Sequence, residues 1–343
     1  MLKKLLSWII IGFLFAGCET DFTTIAPYKE TMVVYGFVSC TDSINYIKVN
    51  RAFLGEGNTL VMAQQKDSTT YPISDLEIWV ERTRNNFRED STPVAIPSLG
   101  YFDTTTVLVK EPGIFYNQQN LLYIFRGNLP LDGESKLTIH IKNLKSGNLV
   151  TATTLMQSRP NILTPSSALD FNMATQQSVR IRNAPSVNTK VYDFTLRFHY
   201  REISLSTGAQ EYKTIDWDFP EVVSNDFSLT SIDFNLFRPK FYEIVGNTVR
   251  NDPDKIRRID SLPIGFRPLE FIFYGGTEDW YLYNFLNETS TTLVQEKPLF
   301  TNVNNGIGIF TSLYSYSVFK NLNAQSIDTL TDGYFTGNLN FVN

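Results

Sequence analysis

Residues 192–200 change character at every step: Tyr192, Phe194, Leu196, Phe198 and Tyr200 are apolar, and Asp193, Thr195, Arg197 and His199 between them are polar. A period of two held over that length fits a half-buried β-strand. It does not fit a helix, whose apolar residues recur every three to four. The pattern is repeated upstream. "DLEIWVER" puts Leu76, Ile78 and Val80 on one face, "SKLTIHIKN" does the same with Leu137, Ile139 and Ile141, and "KSGN" turns the latter into "LVTATTL". "TMVVYGFVSC" and "INYIKVNRAFL" are apolar and β-branched, with "TDS" as the turn between them. "PG" at 112–113 and "DG" at 132–133 break the runs. Residues 31–158 therefore read as a β-sandwich of immunoglobulin-like or prealbumin-like type.

Two prolines and a polar cluster in "RPNILTPSS" (159–167) mark the expected boundary to a second domain, residues 168–343. There "EYKTIDWDFP" is the expected partner of the strand at 192–200, joined to it through the turn "STGAQ". "RPKFYEIVG" and "DPDKIRRI" read as helices, the second with Asp252 as N-cap and Pro253 at the first helical position. "LEFIFYGG" reads as a strand. "TEDWYLYNFLNE" reads as a helix capped by Thr277, with Glu278 and Asp279 in the first turn, where the dipole favours them. The last forty residues read as strand and turn. The expected fold is mainly β: a sandwich followed by a β-rich α+β domain with a few short helices. A chain of 343 residues with 42% hydrophobic and 14% aromatic residues can bury such cores. Its net charge of −5 lacks the basic face that nucleic acid requires.

The N-terminus addresses the chain. Lys3 and Lys4 precede an apolar run, residues 5–15, which is too short for a bilayer span of roughly 20 residues and suits a secretory signal. Ala16-Gly17-Cys18 resembles the lipobox of bacterial lipoproteins, although Phe15 stands where an aliphatic residue is usual. On that resemblance residues 1–17 are a signal peptide and Cys18 is lipidated, with palmitate-type acyl chains numerous enough for stable anchoring. Residues 18–30 are then a tether. Its acidic Glu19 and Asp21 resemble the signal that sends Bacteroidetes-type lipoproteins to the outer face of the outer membrane. With Cys18 acylated only Cys40 is left, so no intramolecular disulfide can form; Cys40 is expected as a buried structural thiol.

Catalytic chemistry is sparsely represented. Asp216 and Asp218 in "DWD" share one strand face about 6.6 Å apart, a spacing that could serve a carbohydrate-active enzyme, with Trp217 on the other face. The plainer expectation has both aspartates solvated and Ile215, Trp217 and Phe219 inside. His140 and His199 are expected as solvated residues of sheet faces, since neither has partners at metal-ligand spacing. Gly306-x-Gly308 in "NVNNGIGIF" lacks the third glycine or the lysine of a phosphate loop, so a turn at Asn305-Gly306 entering a strand is expected. No catalytic residue, metal ligand or cofactor is assigned. One pattern recurs: Asp followed by Ser or Thr, then an aliphatic residue or Thr, at Asp42-Ser43, Asp67-Ser68, Asp90-Ser91, Asp103-Thr104, Asp260-Ser261 and Asp328-Thr329. It resembles the O-glycosylation motif of exported Bacteroidetes-type proteins, with Ser43, Ser68, Ser91, Thr104, Ser261 and Thr329 as acceptors. Turn chemistry would also favour these pairs.

The lipobox, "MVVYGFV", the sandwich ending in "LTIHIKNLKSGNLVTATTLM" and the late "PLFTNVNNGIGIFTS" together resemble a family of two-domain Bacteroidetes-type outer-membrane lipoproteins of unknown function. Members are often encoded beside TonB-dependent transporters. Residues 170–260 have no counterpart in that layout, and the family supplies no functional residues to carry over. The resemblance implies a non-enzymatic, lipid-anchored protein at the cell surface, an accessory or ligand-binding partner of an outer-membrane transporter. A fimbrillin-like pilin or adhesin is the alternative, which would need proteolytic release of an N-terminal strand at a site such as Arg51 or Arg82.

Overall fold

A computed structural model describes residues 29–53, 58–84, 94–101, 103–127, 129–224, 230–287 and 299–342. It is mainly β, 47% strand and 15% helix. The first strands are β1 (Met32–Ser39), β2 (Ile44–Arg51), β3 (Leu76–Arg84), β4 (Val94–Tyr101), β5 (Asp103–Thr105), β6 (Leu122–Arg126), β7 (Ser135–Asn143) and β8 (Leu149–Leu155). Then come β9 (Asn161–Thr164), β10 (Asp170–Phe171), β11 (Ser178–Ala184), β12 (Val191–Ser204), β13 (Gln210–Asp218), β14 (Val222–Val223) and β15 (Ile232–Phe237). The last are β16 (Lys255–Arg258), β17 (Leu269–Gly276), β18 (Val303–Asn304), β19 (Gly306–Leu322) and β20 (Phe341–Val342). Short helices α1 (Thr59–Ala63), α2 (Lys66–Thr69), α3 (Arg238–Thr248), α4 (Glu278–Asn287) and α5 (Ala324–Asp332) lie between them.

The strand alternation read from the sequence is the alternation of burial. Leu76, Ile78 and Val80 of β3 and Leu137, Ile139 and Ile141 of β7 are buried, and they meet Val34 of β1 and Ile47 of β2 in one core. That core lies between the sheet β18-β8-β7-β3-β4 and one end of a large sheet, whose main path runs β20-β16-β12-β17-β19-β1-β2-β6-β5. At the other end Tyr192, Phe194, Leu196, Phe198 and Tyr200 of β12 pack with Phe271 and Phe273 of β17, the small sheet β15-β11-β9, and Phe241 and Val245 of α3.

The two cores divide in sequence near 159–167, between Met156 and Met173, and β9 lies inside that stretch. The backbone sheet does not divide. β1 runs parallel to the first half of β19, from Met32 opposite Gly306 to Ser39 opposite Leu313. β17 runs antiparallel to the second half, from Gly276 opposite Leu313 to Leu269 opposite Lys320. At about 3.3 Å per residue, the 17 residues of β19 carry one strand roughly 55 Å through both cores. Val303, Phe310 and Tyr314 return to complete the first core.

Two local expectations fail. Asp252-Pro253 opens a turn, not a helix: the Asp252 carboxylate accepts the Asp254 N–H at 2.9 Å, and residues 255–258 continue as β16. β16 pairs with β12 on one side and β20 on the other, and its Arg257, only 1% exposed, is held there. The guanidinium donates to Glu202 Oε2 at 3.1 Å, to the Arg250 carbonyl at 2.9 Å and to the Leu339 carbonyl. Sheet pairing and these bonds outweigh a local cap signal. The last forty residues also contain α5, whose N-cap Asn323 accepts the Ser326 N–H at 3.0 Å, so that stretch is more than strand and turn.

Candidate functional site

β12 places Thr195, Arg197 and His199 on the face opposite its aromatic row, and its neighbours decide what they meet. The registers set Asp216 of β13 and Glu270 of β17 on either side of Arg197, and Phe319 of β19 beside Glu270. Arg197 makes a two-pronged bond to Asp216, Nε to Oδ1 at 2.6 Å and Nη2 to Oδ2 at 2.8 Å, with Glu270 4.0 Å away. Asp218 accepts from the Thr195 hydroxyl at 2.7 Å. Both aspartates are exposed and Ile215 is buried, as the strand alternation predicts, with Trp217 and Phe219 half-buried.

His199 departs from expectation. It is 1% exposed, enclosed by Tyr212, Phe266 and Phe319. Its Nε2 lies 2.9 Å from Glu270 Oε2, its Nδ1 meets the Tyr212 hydroxyl, and Ser317 donates to the other Glu270 oxygen at 2.5 Å. The loop 259–268 supplies Phe266, which closes over the ring. His140 is likewise not a freely solvated residue: it stacks on Trp79 at 4.9 Å with planes nearly parallel, 3.1 Å from Glu81. The signal missed was Glu270, the lone charge in "LEFIFYGG": a carboxylate in an apolar strand costs several kcal/mol unless partnered, by roughly the transfer scale, so a partner had to exist.

Charges on this face are fixed by their neighbours. Burial alone would raise Glu270, but hydrogen bonds from His199 and Ser317 and the nearby His199 and Arg197 charges outweigh it and hold the carboxyl below its ordinary value. The Arg197 bond holds Asp216 low, and Asp216 in turn raises Arg197. Burial raises the Tyr212 and Tyr274 hydroxyls, which stay protonated at neutral pH. What results is a sheet face with a fixed cation–carboxylate pair, phenol hydroxyls and the half-open rings of Tyr212 and Phe266. It can bind a polar ligand by hydrogen bonds and ring stacking. Behind the same loop, Asp260, Leu262, Phe266, Arg267 and Asn321 border an open groove of about 350 Å³.

The remaining expectations fall elsewhere. Cys18 and Ser91 lie outside the described residues. Ser43 is exposed in the β1–β2 turn, Ser68 is half-buried on α2, and Thr104 is half-buried on β5. The Ser261 hydroxyl donates to Asp260 Oδ1 at 2.9 Å, and Thr329 Oγ1 donates to the Gln325 carbonyl within α5 at 2.8 Å. The five described positions lie on separate elements. Cys40 is buried, its thiol pushed up to about 12 by burial, with Sγ 3.7 Å from Gln157 Oε1. Asn305 has φ 58° and turns β18 into β19, so "NGIG" is a strand entry. Gly308 has φ 118°, and a Cβ there would overlap the Val34 carbonyl oxygen across the β1·β19 pair; the second glycine serves close strand approach. Comparison of the chain with protein-family models and with curated proteins finds no match.

Proposed function

We propose that the protein is a non-enzymatic lipoprotein of the outer membrane, anchored through Cys18 and exposed at the cell surface, where it serves a transporter as an accessory or ligand-binding partner. The observation that carries this is the small-small-cysteine ending of the apolar leader, followed directly by Glu19 and Asp21. The layout of the sites supports it. The tether joins at Met32, level with the start of β19, and the Arg197–Tyr212–Phe266 face lies toward its far end. A ligand face held away from the anchor suits capture and hand-over. The first core is taken as immunoglobulin-like or prealbumin-like, and the Asp-Ser and Asp-Thr sites as acceptors for O-linked glycans.

A carbohydrate-active enzyme is the weaker reading, because Arg197 occupies both oxygens of Asp216, which leaves that carboxylate poorly placed to activate the water a two-carboxylate inverting hydrolase needs. The pilin reading is disfavoured by cleavage geometry: a cut at Arg51 would excise β1 and β2 from the middle of the large sheet. Affinity purification of the tagged protein from mildly solubilised outer membranes tests the proposal. A stoichiometric barrel transporter among the co-purifying proteins is expected. Recovery of the protein alone, or of its own multimers, sinks the accessory role and moves weight to adhesion or surface structure.

A further inference from the structure

The end of the first core where the tether joins carries a rim of apolar side chains turned to solvent. The loop 106–121 connects β5 to β6. Since Thr105 faces Leu122 and Tyr123 faces Ile47 of β2, the loop leaves the sheet toward the end where β2 finishes at Arg51 beside Met32. Val107 and Val109 on it are 82% and 91% exposed, and Ile114 and Phe115 are also more than half exposed. The Tyr116 N–H donates to the Ala63 carbonyl at 2.9 Å, which brings the loop against α1 with its exposed Leu60 and Val61. Lys66 donates to Gln119 Oε1 at 2.7 Å and adds a second tie. The chain enters at this same place: Thr31 accepts from the Ala52 N–H at 2.9 Å, and Asn143 donates to the carboxylate of Glu30.

An apolar rim of this kind marks a contact surface, and where the chain comes from selects the occupant. Residues 18–28 separate Cys18 from the first described residue, and eleven residues reach at most about 40 Å. An acylated Cys18 therefore keeps this end, more than the far end of β19, beside the bilayer. Lys110 sits with Nζ 5.6 Å from the Phe115 ring centre, a cation at the edge of an apolar tip, which matches anionic headgroups above acyl chains. We propose that the rim formed by Leu60, Val61, Val107, Val109, Ile114 and Phe115 rests in the bilayer surface, between headgroups and acyl chains, and fixes the tilt of the anchored protein. The inference rests on the lipoprotein reading. With the rim in the membrane, β19 points outward and lifts the Arg197–Tyr212 face into the medium.

The test uses the full mature, acylated chain in vesicles of phosphatidylethanolamine and phosphatidylglycerol. A Cys40→Ala background carries a nitroxide at either Val109→Cys or, on the distant β12–β13 turn, Thr207→Cys. Val109 is so exposed that its replacement leaves the core untouched. The expected result is that the label at 109 is relaxed by oxygen and loses relaxation by a water-soluble nickel chelate, whereas the label at 207 is relaxed by nickel. If the protein floats with the vesicles and 109 is as open to nickel as 207, the rim proposal is overturned and the anchor reading stands. Spin–spin broadening at 109 that persists after detergent replaces lipid would assign the rim to a second copy and also overturn it. If the purified chain carries no acyl mass at Cys18 and does not float, the anchor reading itself fails and takes the proposal with it.

Discussion

Glu270 shows how one side chain reorganises a sheet face. Its carboxylate gathers His199, Ser317 and the edge of Arg197, and these bonds hold it ionised inside the protein. Replacing it in Glu270→Gln leaves His199 and Arg197 without the carboxylate charge, and a loss of about 1–3 kcal/mol at pH 7 is expected from urea midpoints. The pH dependence has a definite sign. The folded carboxyl lies below its ordinary 4.5, so the unfolded chain takes up the proton first. The stability Glu270 contributes is complete above that value and is lost as pH falls through the folded one. The gap between wild type and Glu270→Gln should therefore shrink on acidification; a gap that is constant or widens from pH 7 to pH 4 contradicts the assignment. Ser43 makes a different point. It stands exposed in a turn, whereas Ser261 and Thr329 spend their hydroxyls on Asp260 and on a helix carbonyl. Intact-mass analysis of protein from a glycosylating host should show Ser43→Ala losing one glycan; an unchanged mass removes Ser43 from the acceptors.

Among the elements, β19 is the one on which the others depend, and its entry is the tightest point. Gly308 combines a left-handed φ with backbone contact to Val34, so Gly308→Ala both strains the residue and pushes β1 away. A cost of at least about 1–3 kcal/mol is expected from the backbone term alone. It would be read as a lower denaturation midpoint with an unchanged slope, and a midpoint within error of wild type would show that β1 and β19 are not so closely paired. The strands themselves were legible because their residues alternate, from Leu76 through Tyr200. Residues 252–258 were not. Their Asp-Pro start is a good helix signal, and only the partners of Arg257, far away at Glu202 and Leu339, make a strand the better choice.

For the whole molecule, shared structure predicts shared stability. Gln157, fully buried, donates to the Gly275 and Ser312 carbonyls and accepts from the Ser312 hydroxyl, so it links the end of the first sandwich to β17 and β19. The first core lacks Val303, Phe310 and Tyr314 when the chain stops early. A fragment of residues 29–158 should therefore fail to unfold cooperatively, and the full mature chain should show one thermal transition by both circular dichroism and tryptophan fluorescence. A cooperative transition in the fragment, or two separated transitions in the whole chain, would mean that each core holds by itself.

The sequence by itself determined the local facts: that the alternating runs such as 76–80, 137–141 and 192–200 are strands, which face of each is apolar, that Cys40 is buried, and that Asn305-Gly306 turns into a strand. These follow from periodicity and turn chemistry within a few residues. The resemblance of Ala16-Gly17-Cys18 to a lipobox, on which the proposed anchor rests, is likewise a matter of sequence alone. Only the tertiary structure decided that β1 pairs with β19 across more than 270 residues of chain, that His199 is enclosed with Glu270, and that the loop at Tyr116 is tied to the end of α1 at Ala63. The reason is physical. A residue's own pattern sets which side of a strand it occupies, but its partners there are set by strand order and register, which depend on the whole set of buried contacts at once.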